Sequence, residues 1–375
     1  MGARWLTRDD LGAGGGSATG LLLAAPGLSS VFPLTPEDRS AATARTGEVL
    51  RAVGVGADDR VVVALAEPAA GLWAEGAARV AAAGAAVGPR GRMRLHHALT
   101  ALKATTLVAT PTGAMDFLAR LHLEFLLDPL DLGLRHIVLT GEIAATRTFG
   151  HLAGEFGARV SEAYSCPFSG GALAWRAAET DPLTPVADGL LGLAALDKDE
   201  PIEPIEPTEP TELPGPGKSG KLDGAAGRPA ELVVVPAGHA TLGDTVLRTG
   251  QVARAGGAGL PAPEHTVGEH VLVRGVWVSL PRLAKALSRI DGVSGWELAI
   301  SRPGTLDTAT LTVTFSRPSL VGNPMWRARI REGLRALTPV TIGVDIADEV
   351  AETARPGVVN DLRGHHLGRD RALVT

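Results

Sequence analysis

Residues 60–66 read Arg-Val-Val-Val-Ala-Leu-Ala, an apolar run that begins with three β-branched valines and has no polar interruption after its first position. Such a run is typical of a parallel strand buried on both faces, because a strand with one wet face alternates polar and apolar residues. The next stretch, Ala69–Ala83, predicts a helix, and so does the overlapping Ala-rich stretch Ala78–Val87. A strand followed directly by a helix is the unit of a wound, mostly parallel sheet.

The same alternation continues on both sides of this unit. Upstream, Thr35-Pro-Glu-Asp38 offers an N-cap threonine, a proline at the first helical position and acids in the first turn, which predicts a helix to about Val53. Downstream, the pattern predicts helices at Leu95–Leu102, Gly113–His122 and Ala144–Phe156, and strands at Thr106–Thr110, Arg135–Thr140 and Arg159–Tyr164. We therefore expect a large wound α/β domain with helices on both faces of its sheet.

The second half of the chain has a different pattern. Strands at Glu231–Pro236 and Thr245–Thr249 predict a small β subdomain. The remainder predicts strands at Val271–Val278, Trp296–Ser301, Thr308–Phe315 and Thr341–Ala347, with helices at Leu280–Arg289 and Pro324–Ala336. This order suggests a small α+β lid of ferredoxin-like type, so we predict domains at 1–263 and 268–375. The Pro- and Glu-rich residues 199–217 are predicted to be a mobile surface loop.

Composition excludes several classes of protein. A chain of 375 residues with 45% hydrophobic residues is globular, and its length fits two domains. A net charge of -5 without a basic block argues against nucleic acid as a partner. No apolar run is long enough for a membrane span, and acids at positions 9 and 10 interrupt any signal peptide. The single cysteine, Cys166, excludes an intramolecular disulfide framework, so we expect a cytoplasmic protein.

Several motifs, taken in order, resemble the phenylacetate-CoA ligase branch of the adenylate-forming enzymes. They are Leu6-Thr-Arg-Asp-Asp-Leu11, Phe32-Pro-Leu-Thr-Pro-Glu-Asp38, Thr110-Pro-Thr112, Arg274-Gly-Val-Trp-Val278 with the helix at 280–287, and Ser301-Arg-Pro-Gly-Thr-Leu-Asp307. The resemblance implies an ATP-dependent ligase that converts an acid to an acyl adenylate and then to a thioester of CoA.

The resemblance also suggests a nucleotide site. Backbone N–H groups of small residues can bind phosphate, so Gly14–Gly20 is a candidate phosphate loop. Its candidate binding residues are Gly15, Gly16, Ser17, Thr19 and Gly20. The stretch Pro26–Ser30 is an alternative phosphate loop, and the alternative without function is that Gly14–Gly20 is only a flexible loop. Thr140, Gly141 and Glu142 resemble the family's adenine-side loop. Tyr164, with Ser165, stands where the family stacks a tyrosine on adenine, and Gln251 stands where it binds ribose.

Other family positions have lost their chemistry. Phe168 replaces the glutamate that holds magnesium, and a hydrocarbon ring cannot coordinate a hard cation. Gln251 replaces the ribose-binding aspartate, which removes the charge from that hydrogen bond. The family uses a lysine near its C-terminus for the adenylation step, in the stretch that corresponds to 354–361. The last lysine of this chain is Lys285, so Arg355 is the candidate that would supply the positive charge instead. His270, at the hinge, is a candidate general base or a structural histidine. No metal ligand is assigned.

Three functions remain open. The first is a pseudoenzyme that binds a carrier protein, a partner enzyme or a nucleotide, with ATP or AMP and magnesium held weakly if at all. The second is a divergent acyl-CoA or acyl-carrier ligase acting on a small aryl or alkyl acid, with the missing groups supplied by Arg355, Gln251 or another subunit of a homodimer. The third is a cofactor-free enzyme that uses Cys166 or His270.

Overall fold

The computed structural model describes residues 3–25, 28–166, 170–202, 227–256 and 259–374. The strands are β1 Arg4–Leu6, β2 Leu21–Ala24, β3 Val31–Leu34, β4 Arg60–Ala64, β5 Ala83–Ala86, β6 Thr106–Ala109, β7 His136–Leu139, β8 Arg159–Ser165, β9 Ala172–Arg176, β10 Thr184–Pro185, β11 Leu191–Ala194, β12 Pro201–Ile202, β13 Arg228–Val234, β14 Thr245–Ala255, β15 His265–Thr266, β16 His270–Val273, β17 Val276–Ser279, β18 Val293–Ser301, β19 Thr308–Phe315, β20 Ile342–Val350 and β21 Val358–Asp361. The helices are α1 Arg8–Ala13, α2 Pro36–Ala52, α3 Ala69–Ala78, α4 Arg92–Ala101, α5 Pro111–Arg120, α6 Thr148–Phe156, α7 Leu280–Leu287, α8 Pro318–Val321 and α9 Pro324–Leu337.

The predicted α/β class is confirmed by the central sheet. Its strands lie in the order β10-β9-β8-β7-β6-β4-β5, and the five strands from β8 to β5 run parallel. Val61, Val62 and Val63 are each at most 1% exposed, and they divide between two hydrophobic clusters on opposite faces of the sheet. The apolar run therefore marks a strand buried on both faces, as its sequence predicts.

Helix α2 begins where the sequence predicts. The Thr35 hydroxyl accepts a hydrogen bond from the Asp38 N–H at 3.1 Å, and the Asp38 carboxylate accepts one from the Thr35 N–H at 3.0 Å. This reciprocal capping satisfies donors that the first helical turn leaves unpaired. The entry of the chain into the α/β layer is thus fixed locally.

The predicted helix Ala69–Ala83 is wrong in its last turn, and the predicted helix at Ala78–Val87 is wrong as well. Helix α3 ends at Ala78, and residues 83–86 form β5, which pairs in parallel with β4. A Cβ at Gly84 would lie 2.2 Å from the Ala74 carbonyl oxygen, so α3 packs directly on this strand. Pairing with β4 at the sheet edge outweighs the helical preference of an alanine-rich sequence.

The predicted strand Val271–Val278 is also wrong, because it is a hairpin. Strands β16 and β17 are antiparallel, and the two residues between them, Arg274 and Gly275, have φ of 51° and 71°. Two consecutive positive φ values are those of a tight type I′ turn, whose twist matches that of the paired strands. Arginine is uncommon in this conformation, which explains why the sequence pattern does not indicate the turn.

Helix α6 begins at Thr148, four residues later than predicted.

Two further large sheets accompany the two-stranded pairs β2–β3 and β16–β17. A six-stranded sheet has the order β1-β14-β13-β11-β12, with β15 paired to β14. A four-stranded sheet has the order β20-β19-β18-β21, and α7 and α9 pack on it through one hydrophobic cluster. All members of that cluster lie between 271 and 359. The domain limits 1–263 and 268–375, and the ferredoxin-like label, stay predictions.

The predicted mobile loop at 199–217 falls mostly outside the described residues. Pro201–Ile202, at its start, forms β12 and pairs with β11. Within the described part of the chain, no helix is long and apolar enough to cross a bilayer.

Candidate functional site

The candidate adenine and ribose residues lie together, where β8 and β14 face each other. The Tyr164 hydroxyl donates a hydrogen bond to the Gln251 side-chain oxygen at 2.7 Å. Tyr164 is 3% exposed and Gln251 is 5% exposed. Burial raises the pKa of Tyr164 well above its usual value, so the hydroxyl stays protonated and acts as a donor. The two residues that the sequence assigns to adenine and ribose are therefore partners of each other.

The adenine-side loop is also held by internal hydrogen bonds. The hydroxyls of Thr140 and Ser165 lie 2.8 Å apart, which joins the end of β7 to the end of β8. Gly141 follows with φ of 81° and turns the chain toward Glu142.

Glu142 caps a neighbouring helix. Its carboxylate accepts hydrogen bonds from the Thr112 N–H at 3.0 Å and from the Thr112 hydroxyl at 2.9 Å, at the first turn of α5. A carboxylate at a helix N-terminus is favoured by the unpaired N–H groups and the helix dipole. Burial nevertheless raises the pKa of Glu142, and the nearby Asp307 carboxylate raises it further. This side chain thus has a structural role in the molecule as it stands.

The hairpin turn of β16–β17 contacts this loop. A Cβ at Gly275 would lie 3.3 Å from a Thr110 methyl group and 3.4 Å from a Glu142 carboxylate oxygen. The Arg274 N–H donates to the Asp307 carboxylate at 3.1 Å, which fixes the turn to the start of β19. A small cleft between the two halves of the chain is lined by Glu142, Ile143, Thr266, Leu272, Arg302, Asp307, Arg363 and His365.

Trp277, in β17 of the same hairpin, contacts Arg8 of α1. The Arg8 guanidinium carbon lies 3.9 Å from the centre of the Trp277 ring, and the edge of this ring lies within 3.8 Å of a Cβ built on Gly250. Arg8 is 5% exposed, and burial lowers its pKa to about 9 despite the opposing influence of Cys166, Asp9 and Tyr164. Arg8 was not among the sequence candidates, although it belongs to the motif Leu6–Leu11; only its burial beside Tyr164 singles it out.

The candidate phosphate loop lies apart from these groups. Residues 14–16 form a 3-10 turn, and Ser17 donates to the Gly14 carbonyl at 3.2 Å. Gly16, Ser17, Thr19 and Gly20 are exposed, while Gly15 approaches Val31 of β3. Among the described residues, no hydrogen bond joins this run to Thr140, Glu142, Tyr164 or Gln251.

The alternative phosphate loop connects β2 to β3. Of its residues, Ser29 and Ser30 are both 2% exposed, and Arg282 of α7 donates to the Leu28 carbonyl. Pro26 and Gly27 lie outside the described residues, as does Phe168.

The two candidate catalytic residues, the charge substitute Arg355 and the candidate base His270, lie in different surroundings. Arg355 is exposed and lies 3.8 Å from Glu349, and its N–H donates to the Ser294 carbonyl at 2.7 Å. His270 is 6% exposed, and burial together with Arg8, Arg282 and Arg371 lowers its pKa to about 3. An imidazole with so low a pKa is a poor proton acceptor near neutral pH. Cys166 is a buried free thiol.

The C-terminal tail crosses the predicted hinge. The Thr266 N–H donates to the His365 carbonyl at 2.6 Å, and the Gly268 N–H donates to the Gly368 carbonyl at 2.8 Å. Arg371 donates at 3.1 Å to Glu231, a carboxylate that is fully buried and also accepts from Arg248 at 2.6 Å. This tail was not foreseen from the sequence, because its partners lie about a hundred residues or more upstream.

Comparison with known proteins shows the fold. No protein-family model and no curated protein sequence matches the chain. A 2-hydroxyisobutyryl-CoA ligase in complex with 2-HIB-AMP and CoA in the thioesterification state is similar with a TM-score of 0.71 and 16% identity, over 95% of this chain and 80% of that one. The same enzyme in the postadenylation state gives a TM-score of 0.53 at 16% identity, over 98% and 81%. Amide bond synthetase McbA from Marinactinospora thermotolerans gives 0.60 at 15% identity, over 88% and 65%. The chain has the fold of the adenylate-forming ligases.

Proposed function

We propose that this chain is an adenylate-forming-ligase-like protein that has lost ATP-dependent activation of acids and uses the fold to bind a partner protein. The observation that carries the proposal is the hydrogen bond between Tyr164 and Gln251. A pocket built for a nucleotide presents its polar groups to the ligand, whereas these two groups satisfy each other in a buried position.

The surrounding contacts support the same conclusion. Thr140 is paired with Ser165, Glu142 is paired with Thr112, and Arg8 stacks on Trp277. Inserting adenosine would exchange these hydrogen bonds for new ones of similar strength and would also displace buried side chains. Each buried group left unpaired would cost about 1–3 kcal/mol, so little net binding energy would remain.

The residues present do not fit magnesium-bound ATP. Gln251 is neutral and its oxygen is engaged, and Arg355 is exposed in the loop between β20 and β21, beside Glu349. We therefore assign no catalytic step to a nucleotide or a metal.

The second candidate function is a divergent acyl-CoA or acyl-carrier ligase. It is favoured by the difference between a TM-score of 0.71 to the thioesterification state and 0.53 to the postadenylation state of the same ligase. This difference supports an arrangement of residues 268–375 against the rest of the chain that resembles the one in the thioesterification state of that ligase. In this case a small acid and CoA, or a carrier protein, would be the substrates.

Calorimetry and pyrophosphate exchange distinguish the two candidates. We expect the wild-type protein to bind MgATP and AMP with a Kd near or above about 1 mM, equivalent to roughly -4 kcal/mol. We expect no pyrophosphate exchange with any of a panel of aryl and alkyl acids. Formation of acyl adenylate at roughly 1–1,000 per second would contradict the pseudoenzyme and make Arg355 the first residue to replace.

Restoring the lost groups tests whether the pocket still exists. The combined variant is Phe168→Glu, Gln251→Asp and Arg355→Lys. A lysine at Gly357, which also lies in the stretch 354–361, is excluded because a Cβ at Gly357 would lie 2.0 Å from the Trp296 ring. Groups that act as one catalytic unit are strongly non-additive, so single restorations should change little. If the combined variant also fails to bind MgATP, the pocket is filled, and partner binding gains support over the ATP-dependent ligase.

A further inference from the structure

Two neighbouring helices near the C-terminus concentrate positive charge in an otherwise acidic chain. Helix α7 carries Arg282 and Lys285 and no acid, and α9 carries four arginines and one glutamate, so together they hold a net charge of +5. The whole chain has a formal net charge of -5. The two helices pack side by side on the four-stranded sheet, and their outer surface is here called the basic face.

The arginines of α9 lie in a stripe that points to solvent. Arg327, Arg331 and Arg335 recur every four residues, and residues at that spacing share one side of a helix. All three are exposed, and the stripe covers about 12 Å at 1.5 Å per residue. Arg335 reaches Glu332 at 3.5 Å, whereas Arg327 and Arg331 have no partner among the described residues. Like charges at this spacing destabilise an isolated helix, so the stripe has no stabilising role in the free protein.

The apolar side of α9 is already used. Ile330 is 1% exposed and Leu334 is 4% exposed, and both pack on the sheet. Met325, at 66%, is the exposed large apolar residue of the helix. A helix that lies in a membrane surface needs a free apolar side, which α9 does not offer. The basic face is therefore suited to a polar, anionic partner.

The surroundings of the basic face limit the size of that partner. Outside α7 and α9 the chain has a net charge of -10, which is the total of -5 less the +5 of the two helices. A long polyanion such as duplex nucleic acid would extend past the stripe over this acidic remainder. An acidic patch of about two helical turns on another protein would match the stripe alone.

We propose that the basic face formed by α7 and α9 docks an acidic helix or patch of a partner protein. The inference rests on the proposed function and names the chemistry of the partner. Arg327 and Arg331 provide the central contacts, Arg335 extends the stripe, and Lys285 is a further exposed cation on α7. Charged groups of this kind supply specificity and a fast association rate, both of which fall with ionic strength.

The test uses poly-L-glutamate of about 20 residues as the acidic probe, at low salt, with the full chain. We expect binding that weakens as salt rises, and a loss of about tenfold or more in Arg327→Glu/Arg331→Glu. The matched control, Arg51→Glu/Lys198→Glu, makes the same change in net charge at exposed positions elsewhere and should bind like the wild type. Hydrogen exchange in the complex should be slowed at 324–337.

Other outcomes overturn the proposal. They are an equal loss in the control variant, tighter binding of a 20-base-pair DNA duplex or of anionic vesicles than of poly-L-glutamate, and no binding of poly-L-glutamate. If neither MgATP nor poly-L-glutamate binds, the proposal of a pseudoenzyme is supported and the proposed docking surface is refuted. If MgATP is turned over, the proposed function fails whatever the acidic probe does.

Discussion

The buried His270 predicts how stability depends on pH. Its folded-state pKa is about 3, against 6.5 for the free side chain, so between these values the unfolded chain binds a proton that the folded chain does not. Stability is therefore fully present above about pH 6.5 and is lost as the pH falls toward 3. At pH 4.5, the lost free energy of unfolding is about 2–3 kcal/mol, since one pKa unit is worth roughly 1.4 kcal/mol.

The geometry explains why the shift is downward. His270 faces Arg8 from α1, Arg282 from α7 and Arg371 from the tail, and its Nε2 has no hydrogen-bond partner among the described residues. Asp9 lies 3.7 Å away, too far for a hydrogen bond, and is half exposed. Burial and three guanidinium groups therefore outweigh one carboxylate.

The perturbation is His270→Leu, which removes the titrating ring and keeps a similar volume. Urea unfolding is followed by tryptophan fluorescence at pH 7 and pH 4.5 for the wild type, for this variant and for His151→Gln, which replaces an exposed histidine. We expect the wild type and the control to lose about 2–3 kcal/mol more than His270→Leu over this interval. Burial also lowers the pKa values of His365 and His366, to about 4. Both residues are present in all three proteins, so their contribution to the pH dependence of stability is the same in each. Equal pH dependence in His270→Leu and wild type would refute the reasoning.

Three further predictions follow from buried contacts. Tyr164→Phe leaves the Gln251 oxygen unpaired and should lower the free energy of unfolding by about 1–3 kcal/mol in urea titrations, with nucleotide binding unchanged; a gain in ATP affinity would contradict this. Arg371→Met removes one of the two cations that contact the buried Glu231 carboxylate, so hydrogen exchange at 264–270 and in the tail should become faster. Unchanged exchange would show that other contacts hold the tail. Gly357→Ala should destabilise by about 1–3 kcal/mol, because the added methyl meets an indole ring at 2.0 Å, and a neutral effect would show that the ring moves freely.

The sequence alone determined the α/β class and much of the element order, because these follow from local periodicity. The apolar run at 60–66, the cap at Thr35–Asp38 and the helix of α9 are each set by neighbours within a few residues. The replacement of expected polar groups, such as glutamine at 251, was also visible without coordinates. The same local signals failed at 83–86, where pairing with β4 decided the conformation of an alanine-rich segment.

Only the tertiary structure decided what the candidate site residues do. Tyr164 and Gln251 are 87 positions apart, and Thr112 and Glu142 are 30 apart, so their pairing depends on how the sheets pack. The burial of Arg8 against Trp277 joins segments separated by most of the chain. A motif specifies which groups are available, but burial and the partner across the sheet determine whether a group faces a ligand or another side chain, since both are set by contacts far apart in sequence.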